Sequence, residues 1–332
     1  MIGHRGRDPL MPPKFVIMKK FLPVLFSAAI LCGCQGIDLF SGSDPQQEED
    51  NAEDVKGTLD QAGSGEGGGY TLVWADYFDG DVLDMSSWSV EVNGNGGGNN
   101  ELQYYSDANV TVDDGCLVLT AKREESHGKH FTSGRLNTKG KRFFTYGKME
   151  SSILIPKTAN GLWPAFWLLG NDIDSNPWPR CGEIDILEMG NSAGIRNGTQ
   201  DRFFNGACHW GFYKEVSPGG WAYPNYAKST TSSYSLQDGS FHLFTMVWDE
   251  ASIKMYLDLD KYPDAAPYYE MGITETEDEW ATGRYFHHDF FIVYDLAVGG
   301  NFPGIWDASG ITAVGAEPVS MYIDFVKVYQ KK

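Results

Sequence analysis

A chain of 332 residues, 42% of them hydrophobic, carries enough apolar material to bury a sizeable core. A formal net charge of −19 excludes nucleic acid as the main partner, because phosphate binding needs clustered Lys and Arg, and the chain has no such cluster. Aromatic residues make up 14%, including 10 Trp and 17 Tyr, which suits a protein that stacks rings on sugars as well as on one another.

The N-terminal part does not read as part of the fold. Met18-Lys19-Lys20 is a basic start, and residues 21–32 form an apolar run of the length of a signal-peptide core, too short to cross a bilayer. Met18 reads as the natural initiator, with residues 1–17 an over-long start. Leu31-Cys32-Gly33-Cys34 resembles a bacterial lipobox, which makes Cys34 the expected lipidated N-terminus. Residues 1–34 are therefore expected to be leader and lipoprotein signal. Residues 35–69 are expected to be a flexible linker: residues 44–69 hold eight acids and one base, and the segment ends in Gly63-Ser64-Gly65-Glu66-Gly67-Gly68-Gly69. Such a composition buries too little apolar surface to offset its chain entropy. The expected location is the outer membrane of a Gram-negative bacterium, held there by the lipid alone, and the expected state is a monomer.

From Tyr70 the pattern changes to short runs rich in Val, Ile, Phe, Tyr and Thr, separated by Gly, Asn, Asp and Pro. Examples are Cys116-Leu-Val-Leu-Thr-Ala121, Phe241-His-Leu-Phe-Thr-Met-Val-Trp248 and Ser252-Ile-Lys-Met-Tyr-Leu257. Long stretches of helical period are lacking. Residues 70–332 are expected to form one all-β domain, a β-sandwich jelly roll with a concave substrate cleft. The body carries three cysteines, Cys116, Cys181 and Cys208, an odd number that cannot pair completely. They read as small buried hydrophobes, with a Cys181–Cys208 bridge left open.

The segment that carries chemistry is Gly182-Glu183-Ile184-Asp185-Ile186-Leu187-Glu188. It alternates acid and aliphatic as a half-buried strand does, with Ile184 and Ile186 toward the core. Three carboxylates in six residues repel one another, and crowding raises the pKa of at least one. Glycoside hydrolysis uses that asymmetry, one carboxylate attacking while the other donates a proton. Parity opposes the arrangement, because Glu188 lies an odd number of residues from Glu183. One inserted residue, a β-bulge, returns it to the same face. An acidic surface strand or a metal site is the competing reading. Aromatics in Gly161-Leu-Trp163-Pro-Ala-Phe-Trp167 and Trp178-Pro179, and His209-Trp210 downstream, favour a cleft.

These residues, with Asn99-Asn100-Glu101-Leu-Gln-Tyr-Tyr105, Thr132-Ser-Gly-Arg135, Tyr146-Gly-Lys-Met-Glu150, Leu296-Ala-Val-Gly-Gly-Asn301 and Asp324-Phe-Val-Lys-Val-Tyr-Gln330, resemble glycoside hydrolase family 16, laminarinase-like branch, across residues 70–332. The resemblance implies Glu183 as nucleophile, Asp185 as its assistant and Glu188 as general acid/base. It places Asn100, Arg135, Trp163, Trp178 and His209 on the glycone side of the cleft. No cofactor is implied as a requirement; a structural calcium near Asp324 is an open expectation, because Tyr77 stands where some members carry a calcium-binding acid. Asp295 replaces the usual Asn, and Phe302 a usual Trp, which loosens the expectation of strict β-1,3-glucan specificity. The implied activity is retaining endo-hydrolysis of β-1,3-glucan (laminarin) or mixed-linkage β-1,3/1,4-glucan. The alternatives are an endo-β-galactosidase acting on poly-N-acetyllactosamine, mucin-type or algal glycans, and a surface glycan-binding lipoprotein without turnover.

Overall fold

The structure is a computed structural model that describes residues 69–332. The leader, Cys34 and all of the linker but Gly69 lie outside the described residues. Two large antiparallel sheets account for most of the domain. One runs in the spatial order Tyr269–Gly272, Ser252–Leu257, His242–Trp248, Gly147–Leu154, Val319–Lys331, Cys116–Ala121, Val110–Asp113, and Tyr70–Asp76 also pairs with the long C-terminal strand. The other runs Asn225–Thr231, Phe203–His209, Glu183–Met189, Leu162–Gly170, Phe290–Val298, Arg135–Asn137, Ser89–Val90. Among the described residues the helical content is one six-residue helix, Ser192–Asn197, and short 3-10 turns. None of these helices is long and apolar enough to cross a membrane.

Strand alternation decides what each face of the second sheet does. In Leu162–Gly170, the side chains of Leu162, Phe166 and Leu168 enter the core, while Trp163, Ala165, Trp167 and Leu169 line a cavity on the opposite face. In Phe290–Val298, Ile292, Tyr294 and Leu296 face inward and Asp295 faces the cavity. The two sheets meet through apolar side chains such as Met149, Ile153, Phe244 and Val328 on one and Ile184, Ile186, Phe166 and Tyr294 on the other. Tyr294 ties them further: its ring stacks on Phe166 at 4.8 Å and its hydroxyl donates to Ser151 Oγ at 2.7 Å. The cavity therefore rests on a floor that interior packing holds rigid.

Cys116, Cys181 and Cys208 are free, with Cys181 and Cys208 fully buried, so the bridge left open by the sequence does not form. On the face away from the cavity, Tyr77 packs against Phe325 at 6.3 Å, and the Lys327 ammonium lies 4.9 Å over the Tyr77 ring. Asp324 joins no cluster of three ligating side chains among the described residues.

Candidate active site

The strand Glu183–Met189 is bracketed by two glycines that the backbone requires. Gly182 has φ +74° and Gly190 φ +100°, and a Cβ on Gly190 would sit 2.0 Å from the Leu162 carbonyl oxygen. Between them the register slips on both sides. Opposite Phe203–His209, Asp185 pairs with Ala207 but Glu188 with Asn205; opposite Leu162–Gly170, Asp185 pairs with Trp167 but Leu187 with Phe166. This is the bulge that parity demands. Ile184, Ile186, Leu187 and Met189 all enter the core, and two adjacent inward residues leave Glu183, Asp185 and Glu188 together on the cavity face.

The cavity has a volume of about 600 Å³. Ala165, Ala207 and Ala227 keep its floor low, and Trp163, Trp167, Trp178, Tyr223 and Phe302 form apolar walls. Each glutamate is held by a tryptophan: Trp178 Nε1 donates to Glu183 Oε2 at 3.1 Å, and Trp163 Nε1 donates to Glu188 Oε1 at 3.2 Å. Trp163 is itself stacked on Phe302 at 4.7 Å, so the ring at the position of a usual Trp still packs as an aromatic partner. His209 Nε2 lies 3.4 Å from Asp185 Oδ2 and 3.9 Å from Glu183 Oε1. The closer approach is an electrostatic contact rather than a well-aligned hydrogen bond, since Asp185 Oδ2 is buried without a hydrogen-bond partner.

Burial dominates the electrostatics. It raises Glu183 to about 7, against the pull of Arg135 and the Trp178 N–H. It raises Glu188 to about 8, with the Glu183 charge adding to it and the Trp163 N–H opposing. Asp185 is pushed well above the usual aspartate range, by burial and then by the charges of Glu183 and Glu188 on either side. His209 is lowered to about 4 by burial and is neutral there. Its Nδ1 lies 3.2 Å from the Tyr223 hydroxyl, which burial lifts to about 12 and so keeps protonated. A Tyr223 O–H donating to Nδ1 puts the imidazole proton on Nε2, facing Asp185. With His209 neutral, Arg135 is the cation that Glu183 feels and Glu188 does not.

A second buried cluster abuts the first. Asp295 Oδ1 accepts from Trp167 Nε1 at 2.7 Å, and its strand neighbour Arg135 stacks over Trp167 at 5.0 Å and pairs with Glu91 at 3.1 Å. Tyr105 donates to Glu101 Oε2 at 2.9 Å. Burial raises Asp295 to about 7 although Arg135 opposes the rise.

Of the residues singled out in the sequence, Glu183, Asp185, Glu188, Arg135, Trp163, Trp178 and His209 line the cavity. Asn100 does not. It is exposed at φ +57° and touches the site only through Asn301, to whose Oδ1 its Nδ2 donates at 3.0 Å; its neighbour Asn99 lines the cavity instead. A left-handed turn at Asn100 rotates the two side chains, which a motif read without backbone angles does not reveal. Tyr223 and Asn205 also line the site and were not foreseen. Asn205 could have been found by counting back from His209 in steps of two along its strand.

An antiparallel sandwich with paired glutamates on a bulged strand, set in an aromatic cavity, defines a carbohydrate-active site. Comparison with known proteins agrees. A family model described as beta-glucan synthesis-associated protein SKN1/KRE6/Sbg1 matches residues 58–174. The beta-glucanase of Rhodothermus marinus is 31% identical over 79% of this chain and 85% of its own length. The Bacteroides ovatus mixed linkage glucan GH16, solved with a G4G4G3G product, is 36% identical with a TM-score of 0.66, covering 77% of this chain and all of that one. The catalytic domain of an endo-1,3-beta-glucanase (laminarinase) from Thermotoga petrophila is 33% identical with a TM-score of 0.62, covering 79% of this chain and 98% of that one. The chain spans only 34% and 38% of the length of the first curated relatives it matches. The chain belongs to glycoside hydrolase family 16.

Proposed function

We propose that the protein is a retaining endo-β-glucanase cutting internal bonds of β-1,3-glucan or mixed-linkage β-1,3/1,4-glucan. The observation that carries this reading is the bulge that sets Glu183 and Glu188 on one face in unequal electrical surroundings. Glu183, steadied by Arg135 and Trp178, is the easier of the two to ionise and serves as nucleophile. Glu188 keeps its proton to higher pH and serves as general acid. Attack by a Glu183 oxygen on the anomeric carbon forms the glycosyl-enzyme bond as the bond to the leaving oxygen breaks and Glu188 protonates that oxygen. Glu188, now a carboxylate, takes a proton from a water molecule that attacks the same carbon and frees Glu183. Asp185 stands between them, its Oδ2 3.4 Å from His209 Nε2. The chemistry needs no cofactor.

The relatives' named substrates support a β-glucan. Incubation with laminarin, mixed-linkage glucan, keratan, mucin and agarose, followed by product chromatography, tests the assignment. Oligosaccharide ladders are expected from the first two; products from keratan or mucin alone would overturn it.

The anchoring reading rests on Leu31-Cys32-Gly33-Cys34 and the acidic segment after it. The mature chain begins at a lipidated Cys34, is held in the outer membrane and acts as a monomer. In a Gram-negative host the protein should take up labelled palmitate and fractionate with membranes, and Cys34→Ala should lose both properties. Membrane attachment that survives the substitution rules the anchor out. The soluble domain should elute at monomer mass on size exclusion.

A further inference from the structure

Between the strand that carries His209 and the next strand of the cleft sheet, the chain makes a hairpin, Lys214–Ser217 with Gly220–Ala222. Its pairing sorts its side chains. Glu215 lies opposite Trp221, so these two share a face, and Lys214 lies opposite Ala222 on the other. Two residues back from Glu215 is Tyr213 and two residues on from Trp221 is Tyr223, and alternation puts both on the Trp221 face. Their rings meet at 5.0 Å, as that register requires.

The opposite face is fastened to the body. The Lys214 ammonium donates to the Glu279 carboxylate and lies 5.7 Å from the Trp280 ring. Phe212, in phase with Lys214, packs on Trp280 at 6.1 Å and beneath the Arg180 guanidinium at 4.5 Å. The hairpin is thus held so that its aromatic face meets the cleft. Trp178, which donates to Glu183, touches Tyr223 at 4.9 Å and Tyr213 at 6.0 Å. Trp221 lies about 7 Å farther along the strand than Tyr223. Glu215 does not cover this face with charge, because its carboxylate is turned back to accept from Gly219 N at 2.7 Å.

Core packing does not account for these rings. Tyr213 is 49% exposed and Trp221 64%, whereas Trp178 and Tyr223, nearer the glutamates, are half-buried. A strip of aromatic faces that begins at the nucleophile's hydrogen-bond donor and grows more exposed with distance matches a ligand that enters the cavity at one end and continues across the surface. We infer that the hairpin carries an accessory sugar-binding platform, Tyr213 and Trp221, which holds further neutral sugar rings of the same polysaccharide chain beyond the Glu183 end of the cavity. This rests on the glycan-cleaving reading of the cavity but not on which glucan is cut.

The test is affinity electrophoresis of the whole protein through gels containing laminarin, mixed-linkage glucan, keratan or agarose, with hydrolysis of the same four measured in parallel. Stacking on one ring is worth a 2- to 10-fold change in dissociation constant, on the order of what an aromatic contact provides. Trp221→Ala and Tyr213→Ala should each weaken retardation by the preferred polysaccharide by about that factor, and together by more. They should also raise KM for the polymer more than for a short aryl oligosaccharide. Val216→Ala, on the same hairpin and 58% exposed, should migrate as the parent and controls for loosening of the hairpin. Unchanged retardation in both aromatic variants, or no retardation of the parent by any of the four, overturns the platform even if glucan hydrolysis is intact. Weakened retardation in a protein that cuts only keratan or agarose keeps the platform and overturns the glucan assignment.

Discussion

Replacing Glu188 by Gln separates the cost of the acid/base residue from its use. Burial first, and the Glu183 charge second, hold Glu188 at about 8 against an ordinary value of 4.5, with the Trp163 N–H pulling the other way. A raised folded value means the native protein binds a proton that the unfolded chain releases between these limits. Stability from this group is therefore complete below pH 4.5, falls as pH rises, and levels off above about 8. A rise of that size corresponds to at most about 5 kcal/mol. Because Glu183, Asp185 and Glu188 titrate together, removing one acid should recover about 2–4 kcal/mol of it. Gln keeps an oxygen for Trp163 to donate to and is nearly the same shape. Glu188→Gln should then match the parent in thermal denaturation at pH 4.5 and exceed it at pH 9 by about 5–15 °C. Hydrolysis of polysaccharide should be lost, while release of an aryl group that needs no protonation should persist. An equal difference in melting temperature at both pH values, or a variant less stable at pH 9, would refute the claim that Glu188 is a buried, proton-holding acid.

Polysaccharide hydrolysis should follow a bell-shaped pH profile, its limbs belonging to the coupled glutamates, with the acidic limb near 7 and the alkaline limb near 8. Asp295→Asn removes a charge that raises both glutamates and should move the alkaline limb to lower pH; an unmoved limb would show that Asp295 is electrically separate. Glu183→Ala should lose at least about 1,000-fold in turnover. Azide should restore cleavage of an activated substrate and give the α-glycosyl azide, whereas water and the parent enzyme give the β-anomer first by proton NMR. An α-anomer from the parent would refute the assignment of Glu183 as nucleophile. Gly190→Ala, forced into φ +100° with its Cβ 2.0 Å from Leu162 O, should cost about 2–4 kcal/mol in denaturant unfolding. A loss under 1 kcal/mol would mean that the strand end can shift to make room.

The sequence by itself determined the all-β class and the inward side of Ile184 and Ile186 on the acidic strand, because a period of two needs only neighbouring residues to be read. It also placed the three acids on one strand, and parity alone required a bulge between Asp185 and Glu188. Only the tertiary structure decided what surrounds them. Arg135, Trp167 and Asp295 come from three strands, and Tyr105 and Glu101 from a fourth segment, so the charge balance that separates Glu183 from Glu188 depends on contacts across as many as 190 residues of chain. The exchange of Asn100 for Asn99 at the cavity wall depends on one left-handed backbone angle, and the aromatic strip at Tyr213 and Trp221 on the register of a hairpin. Side-chain type and local period are written into the chain, whereas burial, and with it the protonation of a carboxylate, exists only once distant strands have closed over it.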